Sequence, residues 1–380
     1  MTKINLTDLN FEQLEKEITF LNEPSYRAEQ IYTSVHKKNV KSINEIAAIP
    51  ASLKEKLGRK YFILNLINVK ITDSANSVTR KFLFETDSAD SGQKNFIESV
   101  LISEKGRETV CISTQSGCNV GCEFCATGKM GFKKNLSVSE IISQIYEVKK
   151  LSGKNPSNIV YMGMGEPFLN YDNMLNSLKI LTHPSGFGLS SKRITVSTVG
   201  FMGKIKKFAD DLISPENISI KNVKLALSLH STDNGFREKI IPTSSKNTLQ
   251  EIYKEISYFY QKTKNKVTYE YIYFEDLNDT DNDVKRVARL LRMVPSNLNI
   301  IPFHKIDFEL QKPLDAFNNK QDTKKLLSNK KLFDFIDKLK NEKVIVNLRS
   351  SSGSDINAAC GQLSVDQHKE SKTVYKQISE

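Results

Sequence analysis

The chain has 380 residues, five cysteines and a formal net charge of +11. It contains no apolar run of the ~18 residues that a membrane-spanning helix needs, and Met1–Phe20 lacks a signal-peptide pattern, so we expect a soluble cytoplasmic protein. So few cysteines argue against a secreted disulfide framework and for a metal or redox role. The positive charge favours a polyanionic partner such as nucleic acid, although a general bias toward lysine and asparagine would produce it as well.

The N-terminal part of the chain predicts a small helical module. Apolar residues recur at helical spacing from Leu9 to Leu57, in several short segments. Alternating residues within Leu66–Phe84 then predict two strands, and the polar stretch Thr86–Gln93 predicts a loop.

A regular alternation of strands and helices follows this loop. The predicted strands are Ile97–Ile102, Thr109–Ser113, Asn158–Met162, Arg193–Ser197, Lys224–Ser228, Val267–Tyr273, Leu298–Pro302 and Val344–Leu348. The predicted helices between them include Ser139–Leu151, Tyr171–Leu181, Leu249–Thr263 and Val284–Met293. This pattern predicts an α/β fold with a parallel sheet, either doubly wound or closed into a whole or partial barrel. In both architectures ligands bind at the carboxyl ends of the strands.

A cysteine loop directly after the strand Thr109–Ser113 is the clearest chemical signal. Cys118, Cys122 and Cys125 lie in a C-x-x-x-C-x-x-C pattern. A structural zinc site normally takes four ligands, often as paired C-x-x-C motifs, and no fourth cysteine or histidine is near. The spacing therefore indicates an iron–sulfur cluster with one iron open to a small chelating molecule.

Two further segments carry candidate site residues. Met162–Pro167 ends a predicted strand with glycines that let a ligand approach the backbone, and Glu166 can pair with a cation. The alternative is a simple strand-ending turn. Near the C-terminus, Cys360 lies among small residues. It reads either as a buried thiol or as part of a loop that enters a crowded site.

The cysteine spacing, with Phe124 before the third cysteine, resembles the radical S-adenosylmethionine (SAM) superfamily. That resemblance implies a [4Fe-4S] cluster held by the three cysteines. SAM would chelate the open iron through its amine and carboxylate, and one-electron reduction would yield a deoxyadenosyl radical that abstracts hydrogen from an unactivated carbon.

Ordered matches over nearly the whole chain resemble one family, the dual-specificity adenine-C2 methyltransferases of large-subunit ribosomal RNA and transfer RNA. The matching segments are Tyr26–Gln30, Glu98–Val100, Cys111, Gly131–Phe132, Asn135–Leu136, Val138–Ile141, Met162–Pro167, Phe187–Ser190, Ser228–His230, Asp355–Ile356 and Ala358–Leu363. The resemblance implies a radical SAM partial (β/α)6 barrel of the TIM type with a small N-terminal helical accessory domain. Residues 1–90 would form this RNA-contacting domain and a short strand linker, residues 91–350 the radical SAM core, and residues 351–380 a C-terminal segment.

The family also implies a role for each site residue. Those that would bind SAM are Gly165, Glu166, Ser197, Ser228, Leu229, His230 and, where the family usually has asparagine, His304. Cys360 would accept a methyl group from one SAM, and a radical from a second SAM would activate that S-methyl group for addition to adenine C2. Cys111 would then release the RNA by forming a disulfide with Cys360, and Glu98 would accept the C2 proton.

The expected partners are 23S rRNA, tRNA and a reductant such as flavodoxin or ferredoxin, with the protein acting as a monomer away from membranes. One alternative is the sister branch that methylates C8 of the same ribosomal adenine, which typically has alanine where this chain has Pro167. The other is a non-catalytic metal-bearing RNA-binding protein, which would not need Cys111 and Cys360 as a reactive pair.

Overall fold

The structure, a computed structural model, describes residues 3–63, 66–86, 94–318, 329–349 and 352–365. Apart from Thr86, the predicted loop Thr86–Gln93 lies outside these ranges. Among the described helices, none combines the length and apolarity that crossing a membrane would require.

A small helical module begins the chain, as predicted. It contains α1 (Phe11–Phe20), α2 (Tyr26–Tyr32) and α3 (Ala51–Lys60), and a parallel ladder joins β1 (Ile4–Asn5) to β2 (Tyr61–Phe62). The apolar side chains that recur at helical spacing face inward: Leu14, Ile18, Ile31, Leu53 and Leu57 are all fully or almost fully buried.

The module packs against the main body of the protein. The ring of Phe11 stacks on that of His183 with 4.4 Å between centroids. His36 Nδ1 lies 3.0 Å from the Tyr146 hydroxyl. Buried apolar residues of both parts belong to one continuous core, so the module is fixed to the larger part by apolar contact and not only by the chain.

One large sheet forms the main body. Its strands are β3 (Ile67–Asp73), β4 (Thr79–Thr86), β5 (Asn95–Glu104), β6 (Arg107–Cys111), β9 (Asn158–Tyr161), β10 (Ile194–Thr198), β11 (Lys224–Ser228), β12 (Val267–Tyr273), β13 (Ser296–Pro302) and β14 (Val346–Leu348); β7 (Gln115–Ser116) and β8 (Lys134–Asn135) form a separate antiparallel ladder. The spatial order is β14-β13-β12-β11-β10-β9-β6-β5-β4-β3. All neighbours from β6 to β14 are parallel, which confirms the predicted α/β core.

Helices connect the parallel strands. They are α4 (Ala126–Lys129), α5 (Val138–Ser152), α6 (Tyr171–Thr182), α7 (Lys204–Ile213), α8 (Asn234–Ile240), α9 (Leu249–Thr263), α10 (Asp281–Leu291) and α11 (Lys330–Asn341). Capping boxes begin α5 at Ser137, α9 at Thr248 and α10 at Thr280, where each cap side chain accepts a hydrogen bond from the third helical residue. Strands β6 and β9–β13, each followed by helical structure, form the expected partial (β/α)6 barrel.

The strand β5 departs from the parallel pattern. It pairs antiparallel with β6 through the two-residue turn Lys105–Gly106, in which φ is +51° and +74°. Positive φ at both central residues is typical of the type I′ turns that match the twist of paired strands. Strands β3 to β5 therefore extend the sheet beyond the barrel as an antiparallel edge.

Candidate active site

The cysteine loop lies at the carboxyl end of β6, where the sequence predicted it. The chain makes a close approach there: a Cβ added to Gly117 would lie 1.8 Å from the carbonyl oxygen of Gly131, and φ at Gly117 is +71°. Only glycine fits this position without a shift of the backbone. The N–H of Cys125 donates to the carbonyl of Cys122 at 3.2 Å, which keeps the loop tight.

The three cysteines share a cavity at the carboxyl ends of the strands, here called the upper cavity. Predicted site residues that line it are Cys118, Cys122, Cys125, Gly165, Glu166, Ser197, Ser228, His230 and Cys360. Thiols on one wall and polar groups on the others fit an iron–sulfur cluster with a polar ligand beside it. Within the described ranges, no three His, Cys, Asp or Glu side chains converge on a position for a single metal ion. A four-iron cluster needs no such convergence, because each cysteine binds a different iron.

Apolar side chains surround much of the cysteine loop. Phe124, Ile272, Phe274 and Phe303 belong to an apolar cluster that includes Cys118 and Cys122. Burial raises the pKa of Cys118 to about 12 and also raises the pKa values of Cys122 and Cys125. Thiols in such surroundings are unreactive until a cation displaces their protons, and an apolar shell around a metal site limits water access.

Glu166 is held in a fixed position at the base of the upper cavity. Its Oε1 accepts from the N–H of Phe168 and its Oε2 from the N–H of Val199, both at 3.0 Å. Burial raises the pKa of this carboxyl to about 7, while the two backbone donors oppose the rise. A Cβ on Gly165 would lie 2.5 Å from the Gln115 side chain, so this glycine allows Gln115 to pack against the backbone.

His230 presents one defined ring nitrogen to the upper cavity. The backbone N–H of Ile272 donates to Nδ1 at 3.1 Å, so Nδ1 is unprotonated and Nε2 carries the hydrogen. Burial and the nearby Arg237 lower the pKa of His230 to about 3, which keeps the ring neutral. Nε2–H is therefore available as a donor to a ligand.

Leu229 and His304 occupy different places from the other predicted SAM residues. Leu229 is fully buried behind the upper cavity, and its backbone N–H donates to the carbonyl of Glu270 at 2.9 Å. His304 lines a second cavity instead, and its Nδ1 is buried without a hydrogen-bond partner. Its position thus does not support the expected contact with SAM.

This second cavity, here called the lower cavity, runs through the inside of the barrel toward the amino ends of the strands. It shares Met162, Ile301, Cys360 and Leu363 with the upper cavity. Its other inner residues include Cys111 and Arg349. Of the two predicted reactive cysteines, Cys360 therefore lies at the junction of the cavities, and Cys111 lines the lower cavity alone.

The C-terminal segment holds Cys360 at this junction. The carbonyl of Gly361 accepts from the N–H of Ala126 at 2.8 Å, and the carbonyl of Leu363 accepts from the Thr127 hydroxyl at 2.7 Å. The Cys360 side chain protrudes between the cavities, so solvent reaches it although protein surrounds it. The segment is thus attached to the helical turn that immediately follows the cysteine loop.

Charged groups lie near Cys111 and Cys360. Burial raises the pKa of Cys360, and Arg349, which hydrogen-bonds its sulfur, opposes the rise. Burial also raises the pKa of Cys111 to about 12. Cys360, Glu270 and Cys111 carry a negative charge when ionised, and each raises the pKa of Arg349. The guanidinium therefore lies among potential anions.

Glu98 contacts the C-terminal segment but lines neither cavity. Its Oε2 accepts from the backbone N–H of Ser364 at 3.0 Å, and its Oε1 is 2.9 Å from Lys81 Nζ. Lys81 Nζ also donates to the carbonyl of Asn357 at 3.4 Å. The pair Glu98–Lys81 therefore anchors the segment that carries Cys360.

All five cysteines fall within the described residues, and each is a free thiol. The disulfide expected between Cys111 and Cys360 is consequently not formed. The two residues nonetheless line the same cavity, and Cys360, when ionised, adds to the rise that burial causes in the pKa of Cys111.

Sequence reasoning missed Arg237 and Arg349. The Arg237 side chain is 1% exposed and donates to the carbonyls of Val199, Ser228 and Leu229 and to the Ser244 hydroxyl. It thereby joins the ends of β10 and β11 beneath the upper cavity. Arginine is rarely fully buried, and no local pattern marks Arg237 or the half-buried Arg349 as part of a site.

Comparison with known proteins agrees with this geometry. The family model described as the Radical SAM superfamily matches residues 112–291, and that of the ribosomal RNA large subunit methyltransferase N-terminal domain matches residues 4–63. A crystal structure of a radical SAM methyltransferase from Sphaerobacter thermophilus is 30% identical with a TM-score of 0.79, covering 94% of this chain and 98% of that one.

Relatives of known name match over nearly their whole length. A probable dual-specificity RNA methyltransferase RlmN of Dictyoglomus turgidum is 38% identical over 94% of this chain and 96% of the relative. The corresponding protein of Thermotoga neapolitana is 38% identical over 94% and 97%. Ribosomal RNA large subunit methyltransferase N of Nitrosopumilus maritimus is 36% identical over 93% and 97%. The chain therefore belongs to the RlmN family of radical SAM RNA methyltransferases.

Proposed function

We propose that this enzyme methylates C2 of a specific adenine in 23S rRNA and also in tRNA, through an S-methylcysteine on Cys360. The observation that carries the proposal is the position of Cys360, which lines both the upper and the lower cavity. A methyl carrier needs such a position, because it must meet the methyl donor and the RNA base in turn.

The upper cavity is the proposed site of a [4Fe-4S] cluster and SAM. Cys118, Cys122 and Cys125 would hold the cluster, with SAM beside it. Gly165, Glu166, Ser197, Ser228 and His230 would bind SAM. When bound, the cluster would supply an electron, and SAM would supply a transferable methyl group and a carbon radical that abstracts hydrogen. Glu166 suits the methionyl amine because a carboxylate fixed by backbone donors orients a cation, and His230 offers a neutral N–H donor.

Cys360 is the proposed methyl acceptor. Only the thiolate form of cysteine is a strong nucleophile, and the Arg349 guanidinium favours that form. Adenine C2 is electron-poor and cannot attack a methyl sulfonium, whereas a carbon radical derived from the S-methyl group can add to it. The product of this addition links Cys360 covalently to the RNA.

Cys111 and Glu98 are the proposed release residues. Once the adduct has given up its unpaired electron to the cluster, the Cys111 thiolate would attack the Cys360 sulfur and form the disulfide. The RNA-linked carbon would leave with the electron pair of its bond to that sulfur and take up a proton, which makes it the methyl group. Glu98 would accept the proton from C2. Lys81 at 2.9 Å favours the ionised carboxylate, which is the form that can accept a proton.

We assign residues 1–90 to an accessory domain with its strand linker, residues 91–350 to the radical SAM core and residues 351–380 to the segment that carries Cys360. Support for RNA contact by the accessory domain comes from a groove, here called the lysine groove, between that domain and α5. The groove is lined by Lys37, Lys38, Lys41, Lys149, Lys150 and the aromatic Phe187. Lysines and an aromatic ring suit phosphates and an unstacked base.

The proposal also includes a flavodoxin or ferredoxin as reductant and a monomeric enzyme in the cytoplasm. Pro167, where the C8 branch typically has alanine, supports C2 as the methylated carbon. Radical chemistry requires an external electron, which small iron–sulfur and flavin proteins supply.

Mass spectrometry of RNA tests this function. Ribosomal RNA and tRNA from cells with and without the gene should differ in 2-methyladenosine. Detection of 8-methyladenosine instead would reassign the enzyme to the C8 reaction. Protein purified without oxygen should contain iron, and stoichiometric zinc without iron would contradict the cluster. The Cys360→Ala variant should produce no methylated RNA.

A further inference from the structure

The lower cavity is open at the amino ends of the barrel strands. Inward positions early in these strands, at Thr109, Asn158 and Thr195, are only half-buried, and Lys224 at the start of β11 is exposed. In a closed barrel, side chains fill the interior, and inward positions of the strands are buried. Half-buried inward positions at this end show that the interior is not filled here. The interior of this barrel is therefore accessible from the end opposite to the cysteine loop.

This opening, here called the amino-end mouth, is positively charged. Lys105, Arg107 and Lys224 line it, and all three side chains are exposed. In the part of the chain that the structure describes, none of the three forms a salt bridge. The acidic residue at the mouth is Glu104, whose carboxylate accepts a hydrogen bond from the Ser352 hydroxyl. The cations at the mouth outnumber this acid and are free to bind an anion.

The lower cavity leads from the mouth to the reactive cysteines. Arg107 begins β6 and Cys111 ends it, so a rise of ~3.3 Å per residue gives a depth of about 13 Å. Arg349 and Cys360 lie at the inner end beside Cys111. A molecule that enters from the mouth meets Cys360 on the side away from the upper cavity.

The width of the passage restricts what can enter. An RNA duplex is far wider than the interior of a single barrel of about six strands, whereas one nucleotide swung out of its stack is of the right size. Its base would lie inside and its flanking phosphates would remain at the mouth. Lysine and arginine side chains there would neutralise those phosphates.

We propose that the target nucleotide enters the barrel through the amino-end mouth, with its flanking phosphates on Lys105, Arg107 and Lys224 and its base directed toward Cys360. This inference rests on the proposed RNA methylation. It adds the direction of entry, an extruded nucleotide and the residues that receive it.

The surface beside the mouth agrees with this path. The connection before β9 contributes Asn155 and Pro156 to the lysine groove, and Asn158, the first residue of β9, lines the lower cavity. The lysine groove thus lies next to the mouth and on the same side of the barrel. RNA that is engaged at the mouth can continue along Lys149 and Lys150 to the accessory domain.

Charge reversal at the mouth tests the proposal. We compare the double variant Lys105→Glu and Lys224→Glu with the control double variant Lys254→Glu and Lys285→Glu, whose lysines are exposed on α9 and α10. Both double variants change the net charge of the protein by the same amount. A difference between them therefore reports a local RNA site and not the general attraction of RNA to a positively charged protein. The probe is a fluorescein-labelled RNA hairpin with the target adenine in its loop, and binding to the full chain is measured by anisotropy.

The mouth variant should bind at least ~10-fold more weakly than the control at about 0.1 M salt. The plot of the log of its association constant against the log of salt concentration should be less steep, with a slope smaller in magnitude by about 2. Equal affinity of the two variants would overturn the proposal. Binding needs no turnover, so this result is independent of chemistry. Should the wild-type enzyme bind the hairpin but never methylate RNA, the proposed function would fail while the entry site stood.

A cross-link tests the orientation of the RNA directly. Lys224→Cys carrying a photoreactive label should attach to a nucleotide within about two positions of the target adenine. Attachment only to distant nucleotides, or equal attachment from Lys254→Cys, would exclude entry through this mouth.

Discussion

The backbone N–H of Ser364 donates to Glu98 Oε2 at 3.0 Å, which ties the segment carrying Cys360 to strand β5 of the main sheet. The other carboxylate oxygen is bound by Lys81. Glu98 therefore has two separate roles: it anchors the segment that carries Cys360, and it is the proposed proton acceptor. Substitutions can separate these two roles.

Glu98→Gln should keep the hydrogen bond from Ser364 but lose the base and the ion pair with Lys81, because an amide oxygen still accepts a hydrogen bond but carries no charge and cannot take a proton at neutral pH. We expect S-methylation of Cys360 to persist, measured by peptide mass spectrometry, and RNA methylation to slow by at least ~100-fold. Glu98→Ala should lose both, since the anchor goes as well. Full turnover by Glu98→Gln would exclude Glu98 as the proton acceptor.

Cys111→Ser should trap the enzyme on its RNA. A hydroxyl of similar size fits the end of β6 but cannot form the disulfide that frees Cys360. A protein band of reduced mobility on denaturing gels, removed by ribonuclease, should accumulate. The double variant Cys111→Ser and Cys360→Ala should show no such band. Multiple turnovers by the single variant would remove Cys111 from the release step.

Strong periodicity made much of the fold predictable from the sequence. Strands β11 (Lys224–Ser228) and β12 (Val267–Tyr273) and helix α9 (Leu249–Thr263) have the predicted bounds. The antiparallel direction of β5 was not predictable in the same way. It depends on positive φ at Lys105, a residue type without the preference for such turns that asparagine and glycine show.

The candidate site was predictable where function constrains local spacing. The cysteine loop and the residues at or just beyond the carboxyl ends of β9, β10 and β11 converge because these ends of parallel strands meet at one edge. Arg237, Arg349 and the position of His304 depend instead on packing between distant segments. No local pattern distinguishes an arginine that is buried from one that is solvated.

Arg237→Met should destabilise the protein strongly. Removing the guanidinium leaves the buried carbonyls of Val199, Ser228 and Leu229 without their donors, at a cost of about 3 kcal/mol. The control is Arg292→Met, which removes a solvent-exposed salt bridge to Glu342 and should cost less than ~1 kcal/mol. Anaerobic urea unfolding measures both changes. Equal losses in the free energy of unfolding for the two variants would show that the buried hydrogen bonds of Arg237 do not stabilise the fold.

His36 should make the attachment of the helical module sensitive to acid. Burial lowers the pKa of His36 from 6.5 to about 3, so the folded protein keeps the ring neutral while the unfolded chain binds a proton below pH 6.5. The stabilising contribution of the neutral ring is complete above that pH and is lost as the pH falls toward 3. At about pH 5 the loss amounts to ~2 kcal/mol. His36→Asn, which cannot be protonated, should therefore lose less stability between about pH 7.5 and pH 5 than the wild type. Urea midpoints at both pH values measure this, and parallel losses in the two proteins would show that His36 does not titrate on unfolding.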